Sequence, residues 1–149
     1  MTGRLMTGRA SEEPPAAEGL TGPFWAAAAE GRLVRPVCEQ CGHGFFPPAW
    51  CCPRCLSESW SYRDSSGLGR VYSHTTVHRG PDPGWRVPYV LAIIDLREGW
   101  SMLSRIAGDP PDDSVPGVLI GRAVKVAFTG EERPPHRVLP VFELAEEGP

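Results

Sequence analysis

The chain has 149 residues, of which 41% are hydrophobic, and a formal net charge of −3 at pH 7. That length can bury a real core, whereas the near-neutral charge gives no overall attraction to nucleic acid or to an anionic membrane. No run approaches the roughly 18 apolar residues of a membrane span, and the first residues lack the apolar stretch of a signal peptide. We therefore expect a cytoplasmic protein, and we predict that residues 1–20 form a flexible tail.

The stretch "TGPFWAAAAEGRL" predicts one short helix within residues 21–33. Thr21 or Gly22 can serve as the N-cap, and Pro23 suits the first turn. Four alanines favour the helix, and Gly31 can end it. A helix of about nine residues is too short to be stable alone, so its aromatic side chains must pack against this chain or against a partner.

All five cysteines lie in the stretch "CEQCGHGFFPPAWCCPRC", residues 38–55. An odd number of cysteines in so short a segment is not typical of a disulfide framework, and paired Cys-x-x-Cys motifs in a reducing cytosol more often bind metal. Each Cys-x-x-Cys turn places two thiolates on one side of an ion, so two such turns complete a tetrahedral site. Cys51 is interpreted as a free thiol, because an extended backbone points it away from its neighbour. The predicted metal ligands are Cys38, Cys41, Cys52 and Cys55.

This spacing predicts a zinc ribbon over residues 34–66. Ten residues separate the two Cys-x-x-Cys pairs, enough for a short hairpin, and Gly42 follows the first pair where a positive φ is often needed. A site closed by four thiolates leaves no position for water or substrate, so the metal is expected to be structural. Zinc is the expected ion, and iron stays open because four thiolates hold either metal. His43 is expected at the surface or behind the ligands.

After the cysteines the hydrophobic period changes to two, which predicts strands across residues 67–146. Five β-rich runs bounded by Gly, Pro and Asp fit a closed or nearly closed barrel, and the short segment 97–99 predicts a hairpin turn. We expect a mostly β chain with an OB-type barrel; an SH3-like barrel or a small sandwich is the alternative. The predicted strands are 69–79, 88–96, 100–107, 122–128 and 138–144.

The sequence shows no catalytic motif: it has no Gly-rich phosphate loop, nucleophile elbow or His-Glu-x-x-His. His74 and His78 lie four residues apart on a predicted strand, and we favour a half-polar strand face over a metal site or general base. We therefore assign no catalytic residue. A single-strand nucleic-acid binder would show a basic groove with exposed aromatics, whereas residues 68–130 carry seven basic and six acidic groups.

Six motifs follow one another along the chain: "PFWAAAAEGRLVRPVCEQCG", "FFPPAWCCPRC", "GLGRVYSHTTVHR", "VPYVLAIIDLREG", "IGRAVKVAF" and "LPVFEL". In that order they resemble the rubredoxin-like zinc-ribbon/OB-fold proteins associated with acyl-CoA metabolism, long catalogued as a domain of unknown function. The resemblance covers residues 23–144. Ala49 departs from the family, which often has a basic residue there, and Cys51 is an addition without a family role, so the resemblance implies no phosphate contact at position 49.

The resemblance implies a non-catalytic partner subunit of a thiolase-fold enzyme, which stabilises that enzyme and helps it to bind acyl-CoA. Family members accompany sterol-carrier-type thiolases and aldolases, and some accompany or are fused to hotdog-fold enoyl-CoA hydratases. We expect an aldolase of steroid side-chain degradation as the partner, or else an acyltransferase. The competing hypotheses are a single-stranded nucleic-acid binder and a rubredoxin-like electron carrier.

Two groups of aromatic residues are predicted to bind the partner. Phe24 and Trp25 match the aromatic start of the family's helix. The hairpin tip adds Phe45, Phe46 and Trp50 on a support that the metal would hold in place, as an interface hot spot requires. The alternative is that these side chains cover the open end of the barrel within one chain.

Overall fold

The computed structural model describes residues 19–112, 116–130 and 138–146. Most of the predicted tail, residues 1–18, lies outside these described residues. Within them the chain forms a short helix, a two-stranded ribbon and a closed barrel. The elements are α1 (Gly22–Ala29), β1 (Leu33–Cys38), β2 (Trp60–Ser65), β3 (Leu68–Val77), β4 (Tyr89–Leu96), β5 (Trp100–Ile106), β6 (Ala123–Gly130) and β7 (Val138–Leu144).

Helix α1 forms where the sequence predicts it, with Pro23 in its first turn. Gly31 follows its end with a φ of +75°, a left-handed conformation that glycine adopts without a Cβ clash. Phe24 and Ala27 are buried against the rest of the chain, and the helix contacts β1 and β7. Packing within the chain therefore stabilises this eight-residue helix. The described residues contain no helix long and apolar enough to cross a membrane.

Strands β1 and β2 form an antiparallel ribbon whose register runs from Leu33 opposite Ser65 to Cys38 opposite Trp60. The loop between the strands, residues 39–59, carries the other cysteines. A small separate cluster of buried side chains holds the far end of this ribbon: it consists of Cys38, Phe45 and Cys52, with Ala49 and Trp60 packed against it.

Strands β3 to β7 close into a barrel in the order β3-β4-β5-β7-β6, with β3 paired back to β6. The prediction of a mostly β chain with a five-stranded OB-like barrel is confirmed, and each predicted strand end lies within two residues of the observed one. The turn after β4 is a hairpin that pairs Leu96 with Trp100. The seam between β5 and β7 is short and parallel, with Ile106 opposite Phe142 as its registered pair. The barrel is thus joined least extensively along this seam.

The barrel core extends into the helix and the base of the ribbon. Phe24, Leu33 and Val34 belong to the same buried cluster as the inward side chains of the barrel strands. Phe142 and Ile94 are fully buried near its centre. The helix, the ribbon base and the barrel therefore share one hydrophobic core, while the tip of the ribbon has its own.

A set of polar contacts joins the ribbon to the barrel between β2 and β3. The carboxylate of Glu98, in the β4–β5 turn, accepts hydrogen bonds from the hydroxyl of Ser65 at 2.8 Å and from the amide of Ser66. The indole of Trp100 donates to the Ser65 hydroxyl at 3.2 Å. Gly67 follows with a φ of +72°, and a Cβ there would lie 2.1 Å from Cγ1 of Val126. A Cβ at position 67 would therefore clash with the Val126 side chain, so only glycine fits there.

Candidate metal centre and exposed aromatic residues

The two Cys-x-x-Cys turns fold into the same backbone structure, which we call the first knuckle (residues 38–43) and the second knuckle (residues 52–57). In the first knuckle the amide of Cys38 donates to the carbonyl of His43 at 2.9 Å, and the amide of Gly42 donates to the carbonyl of Cys38 at 3.0 Å. The second knuckle repeats both bonds, from Cys52 to Ser57 at 2.8 Å and from Leu56 to Cys52 at 2.9 Å.

The second-to-last residue of each knuckle lies in the left-handed region of backbone conformation. Gly42 has a φ of +72°, as the sequence predicts, and Leu56 occupies the equivalent place with a φ of +62°. A residue with a Cβ pays about 1–2 kcal/mol for that conformation. The Leu56 side chain is 73% exposed, so it gains little from burial. The knuckle geometry, rather than the preference of the residue, imposes this backbone.

The knuckles bring together the four sulfur atoms that the sequence singles out. All four lie within 4.8 Å of one another. The Sγ atoms of Cys38 and Cys55 are 3.6 Å apart, and those of Cys41 and Cys52 are 3.7 Å apart. A tetrahedral ion with metal–sulfur bonds of about 2.3 Å separates its ligands by about 3.8 Å. The four cysteines are therefore positioned to bind a metal ion, and Cys51 lies outside the group.

The surroundings of the paired Cys38 and Cys55 sulfurs act in opposite directions. The amide of Ser57 lowers the pKa of the Cys55 thiol, but burial and hydrogen bonds with the neighbouring sulfurs outweigh it and raise that pKa to about 12. The amides of Cys41 and Gln40 donate to the Cys38 sulfur and outweigh its burial, so that the pKa of this thiol falls to about 7. The amide of Arg54 lies 3.4 Å from the Cys52 sulfur. Hydrogen bonds to the charged form of a group stabilise that form, and the thiolate is the form that binds metal.

The five aromatic residues predicted to bind a partner lie in different surroundings. Phe24 and Phe45 are buried within the chain. Phe46 packs between Phe24 and Trp100, with ring centroids 5.2 and 5.5 Å away. Trp25 is half-buried and meets the Phe24 ring edge-on at 5.0 Å.

Trp50 differs from the other four because its side chain is 79% exposed. Phe24 and Phe46 pack with the barrel core within the chain, whereas Phe45 packs in the separate cluster at the ribbon tip. Of the five residues, Trp50 and part of the half-buried Trp25 thus lie at the surface of the chain.

His74 and His43 both contact other residues of the fold. His74 Nε2 accepts a hydrogen bond from the amide of Leu119 at 3.2 Å, which fixes this ring against the loop before β6. His43 stacks on Phe45 with centroids 6.4 Å apart. Among the described residues, neither histidine belongs to the cysteine cluster that could hold a metal ion.

One pair of side chains was not anticipated from the sequence. The guanidinium of Arg105 lies 5.9 Å from the centre of the Tyr89 ring. Leu91 is opposite Arg105 in the β4–β5 register, and alternation puts Tyr89 on the same face as Leu91. The hairpin turn at 97–99 sets this register, so the pairing could have been found by counting residues back from the turn.

Comparison with protein-family models identifies both halves of the fold. Residues 25–61 match the rubredoxin-like zinc ribbon domain of ChsH2. Residues 62–129 match the C-terminal OB-fold domain of ChsH2. The chain belongs to the ChsH2 (DUF35) family of zinc-ribbon/OB-fold proteins.

Curated relatives of this ChsH2-family chain fall into two groups. The "Probable enoyl-CoA hydratase alpha subunit" of Thermomonospora curvata is 37% identical over 82% of this chain, and the 3-oxo-4,17-pregnadiene-20-carboxyl-CoA hydratase alpha subunit of Mycobacterium tuberculosis is 32% identical over 76%. The chain spans only 37% and 35% of those two proteins. A DUF35 domain-containing scaffold protein of Methanocaldococcus jannaschii is 37% identical over 64% of this chain and 67% of its own length.

A solved structure matches the ribbon and the barrel together. It is a chain of the "Ltp2-ChsH2(DUF35) aldolase", with a TM-score of 0.73 and 34% identity. The match covers 87% of this chain and 98% of that chain. The relatives of this ChsH2-family chain therefore include subunits of hydratase and aldolase complexes and scaffold proteins.

Proposed function

We propose that this chain is an accessory subunit of a thiolase-fold enzyme that acts on acyl-CoA, and that it stabilises the enzyme and helps it to bind its substrate. The observation that carries the proposal is the match over 98% of the ChsH2(DUF35) chain of an aldolase complex. An aldolase of steroid side-chain degradation is the preferred partner, because one relative is named for a pregnadiene-carboxyl-CoA substrate. An acyltransferase partner is the alternative.

The chemistry of the described residues supports a role without catalysis. In residues 19–112, 116–130 and 138–146 no polar or charged residue is buried as a whole, and Nδ1 of His74 is one of two side-chain polar atoms buried there without a hydrogen-bond partner. The ring nitrogen of His74 that faces Leu119 is already used in a structural bond. Four thiolates around one ion leave no position for substrate. Bond cleavage is therefore assigned to the partner enzyme.

The proposed ion is zinc, held by Cys38, Cys41, Cys52 and Cys55. The donor set is all sulfur, and its spacing fits a closed tetrahedral site. Such an ion supplies folding free energy to the ribbon and no reaction step. A colourless protein with one zinc per chain by elemental analysis supports this assignment, whereas a red protein with iron in that ratio contradicts it.

The test of the function is reconstitution. The chain and a thiolase-fold aldolase are expressed separately, purified and mixed, and release of the carbonyl products from a β-hydroxyacyl-CoA is followed. We expect turnover from the mixture and none from this chain alone. Turnover by the rigorously purified chain alone, or a partner whose stability and activity do not change when the chain is added, contradicts the proposal.

Trp50 is proposed to be a contact with that partner. A large aromatic side chain that is 79% exposed beside the second knuckle is a candidate hot spot. Trp50→Ala should weaken association by about 2 kcal/mol while the melting temperature of the isolated chain stays the same. Glu58→Ala, an exposed change in the same ribbon loop, is the control. Equal affinities for the two variants would remove Trp50 from the interface.

A further inference from the structure

The barrel leaves a gap along the seam between β5 and β7. In the part of the chain that the structure describes, the registered pairing of these strands is confined to Ile106 and Phe142. Pro140, two residues before Phe142, has no amide hydrogen with which to extend that pairing. The hydroxyl of Ser104 donates to the Pro140 carbonyl at 2.7 Å, so a side chain bridges the strands there.

Backbone groups of β5 face this gap. Strands β4 and β5 pair without a bulge, and in an antiparallel pair successive residues point their N–H and C=O groups alternately towards and away from the partner strand. The amide of Ala107, directly after β5, points away from β4, because it donates to the carbonyl of Phe142 at 2.7 Å. By the same alternation the backbone groups of Leu103 and Ser101 also point away from β4. They form a free strand edge.

The gap is a groove of about 260 Å³, lined by residues 102–105 of β5 and 139–141 of β7. Neighbouring side chains on a strand point to opposite faces, so a lining of consecutive residues means that strand edges form its walls. Phe24, Trp25 and Phe46 complete the lining. The volume lies below the range of about 300–1,000 Å³ that is usual for small-molecule sites. The groove therefore suits an inserted side chain better than a free small molecule.

The lining of the groove is apolar with a charge in one place. Leu103 is 63% exposed, and Trp25 is half-buried, so both offer apolar surface to an occupant. Among the described lining residues Arg105 alone carries a charge. A guanidinium group binds a carboxylate through charge-assisted hydrogen bonds. An occupant with an apolar side chain and a carboxylate near it complements this groove.

We propose that an extended segment of the partner enzyme adds to the free edge of β5 in this groove. Its backbone pairs with Ser101 and Leu103, an apolar side chain enters the groove, and a carboxylate meets Arg105. In this mode of recognition main-chain hydrogen bonds supply affinity and a side-chain pocket supplies selectivity. The inference rests on the proposed function, and it names a contact by which the accessory subunit holds its partner.

A second copy of this chain is a poorer occupant. Strand β2 pairs with β1 alone among the described strands, so its other edge is open as well. That strand carries exposed Arg63 and Asp64, and charged side chains on an edge strand oppose pairing with another strand. The apolar groove at β5 therefore has no matching edge in β2.

Hydrogen exchange resolved to single amides tests the pairing in the wild-type protein. The metal-loaded full chain is measured alone and in complex with the purified thiolase-fold aldolase. Binding should slow exchange of the Leu103 amide about tenfold or more, whereas the amides of Met102 and Ser104, which point to β4, should change little. A complex that forms without protecting Leu103 overturns the inference and leaves the proposed function standing. Failure to form any complex contradicts both.

A proline at the edge separates backbone pairing from side-chain contact. Leu103→Pro removes the amide hydrogen that faces the groove and spares the β4 pairing, as edge strands allow. Leu103→Ala is the matched control, because it shortens the same side chain and keeps the amide. The proline variant should bind the aldolase about tenfold more weakly than the alanine variant. Equal affinities overturn the inference, and the exchange of the wild-type protein decides alone if the proline variant unfolds.

Two further measurements test the identity of the occupant. Arg105→Gln should weaken association about fivefold through loss of the carboxylate contact, and Arg97→Gln, in the β4–β5 turn, is the charge-matched control. Equal affinities of these two variants remove the carboxylate from the assignment. In the free chain the Leu103 amide should exchange rapidly. Protection there that is lost on dilution, or on deletion of residues 1–18, would assign the groove to a second copy or to this chain's own segment and overturn the inference.

Discussion

The barrel and the tip of the ribbon are held together in different ways. The barrel core gathers inward side chains from its strands, from α1 and from β1 into one cluster. The ribbon tip has three buried residues, and two of them are cysteines. A two-stranded sheet is marginal by itself, so the tip needs another source of stability. Four convergent sulfurs provide it when a metal binds.

The base of the ribbon belongs to the barrel although its tip does not. Leu33 and Val34 lie in the barrel core, and Glu98 binds Ser65 and Ser66 where the ribbon ends. A tip stabilised by metal thus stands on a base stabilised by apolar burial. Trp50, which we propose as a contact with the partner, is exposed on this support.

Loss of one metal ligand should have the largest effect, confined to the ribbon tip. Cys41→Ser is expected to release the metal, and structural sites of this type contribute on the order of 10 kcal/mol to folding. The far-ultraviolet signal of the barrel should persist. Cys51→Ser is the matched control, because Cys51 lies outside the sulfur cluster. Elemental analysis decides: metal lost from Cys51→Ser and kept by Cys41→Ser would show that the ligands are assigned wrongly.

Truncation of one phenylalanine in each region compares the two cores directly. Phe142 is fully buried in the barrel, and Phe45 is 5% exposed in the ribbon tip. Phe142→Ala should cost about 3–5 kcal/mol of global stability, as is usual for a buried ring. Phe45→Ala should weaken metal binding and leave the main thermal transition of the barrel nearly unchanged. Equal losses in that transition would mean that the two regions unfold as one unit.

A methyl group at the junction should be costly for a steric reason. Gly67→Ala combines a positive φ with a Cβ placed 2.1 Å from Val126 Cγ1, and we expect a loss of about 3 kcal/mol. Gly99→Ala is matched in backbone conformation, with a φ of +82°, but has open space around its Cβ. It should cost only about 1 kcal/mol. Denaturant titration of both variants measures the difference, and similar losses would contradict the close approach.

The smallest effect expected is on the pH dependence of stability. Burial raises the pKa of Glu98, but hydrogen bonds from Ser66 and Ser65 outweigh it and lower the pKa to about 2, from an ordinary 4.5. The folded chain therefore binds fewer protons than the unfolded chain between these values. The ionised Glu98 stabilises the fold above pH 4.5, and this stability is lost as the pH falls towards 2.

Thermal melts of the wild type and of Glu98→Gln should accordingly differ most above pH 5 and converge towards pH 2. Loss of metal in acid affects both proteins alike, so the difference between their melting temperatures reports the contribution of the Glu98 carboxylate to stability. Glu58→Gln, at an exposed position, controls for the change in net charge. A gap that stays constant down to pH 2 would contradict the lowered pKa.

The barrel strands could be predicted because their side chains alternate between core and solvent. In β4, Val90, Ala92 and Ile94 are buried and the residues between them are not. The end of the helix could be predicted because glycine readily adopts the left-handed backbone conformation that Gly31 has there. The cysteine cluster followed from spacing alone, since each pair closes half of a tetrahedral site.

The packing partners and the burial of the aromatic side chains could not be predicted in the same way. Phe45, Phe46 and Trp50 are close in sequence, yet the first is buried, the second packs on Phe24 and Trp100, and the third is exposed. Which surface each ring meets depends on how the ribbon folds back over the barrel, and local periodicity carries no information about that. The cavity that Arg86 and Phe128 both line was missed for the same reason, because closure of the barrel brings these distant parts of the chain to one place.

Hydrogen exchange of the wild-type chain, with its metal and after treatment with a chelator, tests most directly whether the two regions are held in different ways. We predict that metal removal makes the amides of Cys38, Gly42, Cys52 and Leu56 exchange rapidly, because their hydrogen bonds define the knuckles. The amides of β4 and β5 should keep their protection. Loss of protection throughout the barrel, or unchanged protection in the knuckles, would contradict the account.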